Sequence, residues 1–180
     1  DGLYSSQIIN DSEYLLNTLD SSNVGSVSCT FIGIYGNKKS ENKYFNFPPE
    51  IISLTMPDSI VRPSGEEIEW LLIVAEVIDE NGLEDLSICG FTSLHMGPDT
   101  LLNHGKPIWL YDDGGNVEIF SGYYSGDEII GDGKFTIQIP IFGPENPINQ
   151  TKTGEFLWTF IARDNSNEPS EPMDHTVVVE

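Results

Sequence analysis

Apolar and polar residues alternate along much of this chain with the two-residue period of β-strands. In residues 134–141 every second residue from Phe135 to Ile141 is apolar, and residues 156–162 alternate in the same way. No segment holds a convincing helical period over three turns, and residues 11–19 are the one weak candidate. The pattern therefore predicts an all-β chain.

Clusters of Gly, Pro, Asn and Asp separate the predicted strands. The run 68–78 is rich in branched and aromatic residues and is followed by Asn81-Gly82, a strong turn signal. Further strands are predicted at 84–94, 108–111, 117–120 and 175–179. Many short strands with turn signals between them are typical of a β-sandwich.

The chain also contains an internal repeat. Residues 1–8 (DGLYSSQI) align with residues 132–139 (DGKFTIQI), and residues 30–32 align with 159–161. Two matches in the same order favour a true repeat over chance similarity between β segments.

The repeat predicts two units, 1–47 and 48–180. The first corresponds to the last three strands of one unit, the second to a complete unit, and the stiff dipeptide Pro48-Pro49 joins them. Three strands alone cannot bury both faces, so the missing strands must be absent from the given sequence, disordered or supplied by a partner chain. If the chain is complete as given, we expect another polypeptide to supply them by pairing with residues 1–47. The apolar face expected there includes Val27, Cys29, Phe31 and Tyr35.

Three stretches of the second unit form a wider pattern: LYDDG at 110–114, GD at 126–127 and GDGKFT at 131–136. This pattern resembles the signature of bacterial extracellular immunoglobulin-like repeats, including the choice-of-anchor X type of surface proteins and lipoproteins. VIDENGLED at 77–85 is similar to a turn of these repeats. ARDNSNEPS at 162–170 is similar to their strand-end motif, although it lacks the glycine of that motif.

The resemblance implies a fold, a compartment and a broad role. The fold is an immunoglobulin-like β-sandwich over residues 48–180, preceded by the last strands of a like unit. The compartment is the bacterial cell surface or the exterior, and the expected role is a non-catalytic spacer, scaffold or subunit of an envelope assembly. The implied partners are other envelope or surface proteins. Such repeats occur as spacers, adhesion modules and enzyme accessories, so the resemblance implies little about the specific function of this chain.

Acidic residues dominate the charge of the chain, with 29 Asp and Glu against 8 Lys and Arg and a net charge of −21. Nucleic acids and anionic lipids are recognised by Lys and Arg, so the charge argues against both as partners. No apolar run approaches the ~20 residues of a membrane span. The excess of negative charge favours cationic partners, above all divalent metal ions.

Aspartates in turns with Gly or Asn are the candidate metal ligands, because Ca²⁺ prefers carboxylate and carbonyl oxygens. The best cluster is Asp112, Asp113, Asp127 and Asp132, since the motif brings these residues into neighbouring turns. The other turn aspartates considered are Asp79, Asp85 and Asp164. The alternative is that the side chains accept hydrogen bonds from the turns themselves.

Catalytic groups do not converge in the sequence. It has no G-x-S-x-G elbow and no histidine pair at zinc-binding spacing, so we expect no enzyme activity. The alternative function is a carbohydrate-binding accessory module of a secreted enzyme. Its ligand residues would be Trp109, Tyr123 and Tyr124, unless these rings cover the sandwich. Cys29 and Cys89 lack metal or disulfide spacing and are expected to be buried.

Overall fold

The computed structural model describes the backbone of residues 26–32, 38–44, 46–148 and 150–180, and the side chains of the last two ranges. The contacts divide the chain into two units, Asp1–Phe47 and Pro48–Glu180. The strands of the described residues are β1 (Ser26–Ile32), β2 (Lys38–Tyr44), β3 (Glu50–Thr55), β4 (Ser59–Ile60), β5 (Ile68–Ile78), β6 (Leu86–His95), β7 (Thr100–Leu101), β8 (Ile108–Leu110), β9 (Glu118–Phe120), β10 (Tyr123–Tyr124), β11 (Lys134–Phe142), β12 (Gly154–Asp164) and β13 (Met173–Val179).

The described part of the first unit is one antiparallel strand pair. β1 and β2 pair from Ser26 with Tyr44 to Ile32 with Lys38. The candidate helix at 11–19, the repeat match at 1–8 and the side chains of the predicted apolar face lie outside the described residues. Pairing of this unit with another polypeptide therefore stays a prediction.

The second unit is an immunoglobulin-like β-sandwich of two sheets, beside which β9 and β10 form a separate antiparallel pair. One sheet has the order β11-β5-β3, and both of its strand pairs are antiparallel. The other has the order β4-β13-β12-β6, with β7 and β8 both paired to β6. In this second sheet only the short β4 runs parallel to its neighbour, β13, among the described strands. This architecture confirms the predicted fold class.

Alternating residues on the inner faces of the two sheets form the core. Ile73, Ala75 and Val77 of β5 face inward and are fully or almost fully buried. On the second sheet the Phe91 ring packs against Trp158 and Phe160, with ring centroids 4.7 and 4.9 Å apart. Burial of these rings contributes to the hydrophobic stabilisation of the domain. The buried core is completed by Ile51, Ile60, Cys89, Leu110, Phe135, Ile137, Ile141, Phe156, Ala162, Val177 and Val179.

The chain enters the sandwich at one end and reaches the other end in its last strand. At the first end β5 and β12 finish and β6 and β11 begin, and Glu50 at the start of β3 pairs with Ile78 there. We call this the carboxylate end. β13 finishes at the opposite end, where Val179 pairs with Gly154.

The predicted strands of the second unit are confirmed, with shifts of a few residues at their ends. The predicted strand 84–94 begins later, at Leu86, because residues Leu83–Asp85 form a single 3₁₀ turn. No helix of the described residues is long and apolar enough to cross a membrane.

Candidate functional site

Two groups of three aspartates lie at the carboxylate end. The loop cluster consists of Asp112, Asp127 and Asp132, and the turn cluster consists of Asp79, Asp85 and Asp164. Each aspartate of a cluster contributes one carboxylate oxygen, and these three oxygens all lie within 4.8 Å of one another. Like charges at this separation repel each other, so each cluster needs a source of compensation.

In the loop cluster, backbone N–H groups supply part of that compensation. Asp112 Oδ1 accepts hydrogen bonds from the amides of Gly131 and Asp132, at 2.5 and 3.3 Å. Asp112 Oδ2 accepts one from Gly133 N at 2.9 Å. The carboxylate therefore ties the segment after β8 to the turn before β11.

The other two members of the loop cluster are also hydrogen-bonded. Asp127 Oδ2 accepts from Gly114 N at 2.6 Å, and Asp132 Oδ1 accepts from Lys134 N at 2.9 Å. The Lys134 ammonium lies 3.5 Å from Asp132 Oδ2. The structure thus brings together three of the four aspartates predicted to bind Ca²⁺, and each already accepts hydrogen bonds from the protein.

Asp113 is the fourth predicted ligand, and it lies outside the cluster. Its Oδ1 accepts from Ser125 Oγ at 2.6 Å and from Gly115 N at 3.0 Å, and its Oδ2 accepts from Val117 N. Burial alone would raise the pKa of the Asp113 carboxyl, but the hydrogen bonds, led by that from Ser125, lower it below the usual value. Asp113 is held by these bonds at the base of the loop that leads to β9.

A glycine allows the loop cluster to form. Gly133 has φ +82°, and a Cβ there would lie 2.6 Å from the carbonyl oxygen of Val77. Its own carbonyl accepts from Val77 N at 2.8 Å, which holds the turn against the end of β5. Only glycine combines this dihedral angle with such a close backbone approach.

The turn cluster is built by the segment between β5 and β6. Asp79 follows β5, and its Oδ1 accepts from Asn81 N at 2.7 Å. Gly82, with φ +115°, donates from its N to the Asp79 carbonyl at 3.1 Å, and Asp85 N donates to the Gly82 carbonyl at 3.0 Å. The Asn-Gly turn therefore carries Asp79 and Asp85 at its two ends.

The third aspartate of the turn cluster comes from β12. Asp164 is the last residue of that strand and is only 2% exposed, and its Oδ1 accepts from Glu168 N at 2.8 Å. The next residue, Asn165, donates from its N to the Asp85 carbonyl at 2.8 Å and from its Nδ2 to the Glu84 carbonyl at 3.0 Å. These bonds fix the end of β12 against the turn.

The turn cluster differs from the loop cluster in its electrostatics. Burial raises the pKa of Asp79, the hydrogen bond from Asn81 opposes this, and the charges of Asp85 and Asp164 raise it further. The Oδ2 atom of Asp79 is buried and has no hydrogen-bond partner among the described residues. Sequence reasoning named these three aspartates singly, but their grouping depends on the pairing of β12 with β6.

The three aromatic residues of the alternative interpretation do not form one site. Tyr123 stacks on Trp70, with ring centroids 3.8 Å apart, on the outer face of the three-stranded sheet. Tyr124, next to it in β10, is 50% exposed. Trp109 is opposite Gly90 on the outer face of the other sheet. Two exposed aromatic surfaces therefore lie on different sheets.

A groove of about 540 Å³ lies beside Trp109 at the carboxylate end. Glu84 and Asp112 contribute acidic groups to its wall, and the buried Phe135 contributes apolar surface. The Trp109 side chain is 41% exposed. This combination of an exposed ring with carboxylates resembles a small-molecule site.

No family model and no curated protein matches the chain. Among solved structures, it is similar to the fibronectin(III)-like modules of Clostridium thermocellum CbhA, at 12% identity and a TM-score of 0.38. That match covers 85% of this chain, which spans only 60% of the other.

Two further solved structures show similarly weak likeness. One is the PKD domain of an M14-like peptidase from Thermoplasmatales archaeon SCGC AB-540-F20, at 15% identity and a TM-score of 0.37, covering 75% of this chain and 98% of that one. The other is a Niemann-Pick type C2 protein from the Japanese carpenter ant, at 10% identity and a TM-score of 0.36. That match covers 76% of this chain and 96% of the other.

Proposed function

We propose that the chain belongs to a bacterial cell-surface or secreted protein, in which it acts as a non-catalytic spacer or scaffold module of an envelope assembly. Its partners would be other envelope proteins. Two observations support this proposal: the resemblance of the sequence to bacterial surface repeats, and the geometry of residues 48–180.

The observation that carries the proposal is the path of the chain through the sandwich. β3 begins at the carboxylate end, and β13 finishes at the opposite end. β12 has 11 residues, so these ends are about 35 Å apart at the ~3.3 Å rise of each strand residue. A module with this path adds its full length between whatever precedes and follows it, which is the property a spacer needs.

The placement of nucleophilic and basic groups supports a non-catalytic role. Cys89 is fully buried, and burial raises the pKa of its thiol to about 12, so it is a poor nucleophile. His95 stacks on Phe156 with ring centroids 4.4 Å apart, whereas His175 faces Asp58 at 3.2 Å. Neither of these two histidines forms a hydrogen bond with a described serine or cysteine.

The test exchanges residues 48–180 in the bacterial protein. One strain carries an unrelated immunoglobulin-like sandwich with its ends at opposite poles, and a second carries a short Gly-Ser linker. Epitope tags flank the module, and antibody binding to intact cells is measured. We expect the outer tag to stay accessible with either sandwich and to lose access with the linker.

Two results would contradict this proposal. If the unrelated sandwich loses tag access as the linker does, the module's own surface matters rather than its length. If neither tag binds antibody on intact cells while both bind after lysis, the proposed surface location is wrong.

The groove beside Trp109 favours a second candidate function, carbohydrate binding within a secreted enzyme. Sugars stack on exposed aromatic rings, and their hydroxyl groups donate hydrogen bonds to nearby carboxylates. A glycan array distinguishes the two functions. Specific binding that is lost in Trp109→Ala but kept in Tyr124→Ala would favour the groove. Binding that is lost in Tyr124→Ala alone would favour the outer face of the other sheet. For a spacer we expect no specific glycan binding.

A further inference from the structure

We propose that the second unit binds a small uncharged alcohol or phenol in a pocket between its two sheets. The pocket has a volume of about 270 Å³ and lies at the end of the sandwich opposite the carboxylate end. It shares no lining residue with the groove beside Trp109 or with the two aspartate clusters. This binding site is independent of the proposed spacer role.

Apolar side chains from both sheets form most of the pocket wall. The three-stranded sheet contributes Ile139 and Ile141 of β11. The other sheet contributes Phe156 of β12 and Val179 of β13, and Leu102 lies in the turn after β7. A wall of this kind favours a ligand whose body is itself apolar.

The exposure of residues along β11 shows that the pocket interrupts the core. Ile137, Ile139 and Ile141 share the inner face of this strand. Ile137 and Ile141 are 4% and 6% exposed, whereas Ile139 between them is only half-buried. An inward-facing side chain of a close-packed core contacts other side chains on all sides. The exposed surface of Ile139 therefore marks space that a ligand can fill.

Two polar atoms without hydrogen-bond partners belong to residues of the pocket wall. Ser93 of β6 and Trp158 of β12 both line the pocket, and they lie directly opposite each other in the paired strands. Both are on the inner face of their sheet and are 5% and 6% exposed. Ser93 Oγ and Trp158 Nε1 are buried and form no hydrogen bond with a described residue. Buried polar atoms are normally paired, because removing one from water without a partner is costly.

The chemistry of these two atoms selects the polar group of the ligand. The indole N–H of Trp158 can only donate a hydrogen bond, whereas the Ser93 hydroxyl can donate or accept. One hydroxyl group matches both, since its oxygen accepts from Trp158 and its proton is donated to Ser93. Lys152 is the one charged residue of the described pocket wall, and it is exposed to water. The net charge of −21 also disfavours an anion, so the ligand is uncharged.

The volume limits the size of the ligand. An apolar cavity of about 150 Å³ accommodates benzene, so a pocket of this volume holds roughly ten non-hydrogen atoms. Para-cresol, a benzene ring with one methyl and one hydroxyl group, is within this limit and is the probe. Para-xylene has the same shape with a methyl group in place of the hydroxyl, and para-toluate carries a carboxylate there instead.

The experiment measures binding of the three probes to the whole chain by isothermal titration calorimetry. We expect para-cresol to bind about tenfold more tightly than para-xylene, because only its hydroxyl pairs with Ser93 and Trp158. Para-toluate should bind more weakly than para-cresol. Para-cresol should also raise Tm, and the rise should increase with its concentration because the probe binds only the folded chain.

Ser93→Ala separates lost binding from lost folding. It removes an unpaired buried hydroxyl, so the variant should melt at or above the wild-type Tm. Its affinity for para-cresol should nevertheless fall about fivefold, while its affinity for para-xylene stays the same. Ile139→Phe adds volume inside the pocket and should abolish binding of both probes. Thr92→Ala is the matched control, because Thr92 is next to Ser93 in β6 but outside the pocket wall.

Four results would overturn the proposal. The first is no measurable binding of para-cresol. The second is equal affinity for para-cresol and para-xylene, which would show that the two polar atoms do not recognise a ligand. The third is para-cresol binding that both Ser93→Ala and Ile139→Phe leave unchanged, which would place the probe elsewhere. The fourth is tighter binding of para-toluate than of para-cresol, which would show that the pocket selects an anion.

Discussion

Replacing Asp112 tests whether this carboxylate acts by hydrogen bonding. It accepts bonds from Gly131 N, Asp132 N and Gly133 N, at 2.5, 3.3 and 2.9 Å. A hydrogen bond to a charged group contributes about 1.5–3 kcal/mol, and the partial exposure of Asp112 reduces this through solvent screening. We therefore expect Asp112→Ala to lower the free energy of unfolding by about 3 kcal/mol, or Tm by about 10 °C.

Asp112→Asn should lower the free energy of unfolding by less than Asp112→Ala does, by about 2 kcal/mol. One side-chain oxygen still accepts hydrogen bonds, while the new amide group faces an N–H donor. The assay is urea unfolding in EGTA, followed by tryptophan fluorescence. All three tryptophans lie in the second unit, so the signal reports on that unit. Asp99→Asn serves as the control, because Asp99 is exposed, lies in neither cluster and has φ +53°, which Asn tolerates. A loss below about 0.5 kcal/mol in EGTA, or a loss that appears only when Ca²⁺ is present, would refute the hydrogen-bonding role.

Two further predictions concern pH and thiol reactivity. Because hydrogen bonds lower the folded-state pKa of Asp113, its stabilising contribution is complete above the unfolded pKa of about 3.9 and is lost as pH falls through the folded value. Asp113→Asn should thus be less stable than wild type at pH 7 and converge with it towards pH 2, and parallel urea curves at all pH values would contradict this. In a Cys29→Ser chain, Cys89 is buried with its pKa raised to about 12, so iodoacetamide at pH 8 should label it only after urea unfolding. Full labelling of the folded chain would show that the core is open.

The second unit was largely predictable because its long strands alternate cleanly. Residues of β11 and β12 show the two-residue period in the sequence, and both strands lie where the pattern places them. β3 (Glu50–Thr55) was not predicted, because its six residues show no clear alternation and its burial is irregular. Its bulge between Ile51 and Ser53 breaks the period.

The candidate sites show where sequence reasoning stops. The motif predicted that Asp112 and Asp132 lie in neighbouring turns, and the structure places them together. The turn cluster needed the sheet topology, because Asp164 is far along the chain and meets Asp85 only through the pairing of β12 with β6. The hydrogen bonds that hold Asp113 away from the loop cluster also involve Ser125, which no spacing rule connects to it.

The most direct measurement of the central claim is the distance through the sandwich. Spin labels are placed at Glu50→Cys and Val178→Cys in a Cys29→Ser chain, since both sites are exposed and Cys89 is buried. Double electron–electron resonance should give a distance of about 30–40 Å, because β3 begins at one end and β13 finishes at the other. The control pair, Glu50→Cys with Glu80→Cys, lies at the carboxylate end and should give less than about 20 Å, from the strand spacing. An equally short distance for both pairs would contradict a module that spans its own length.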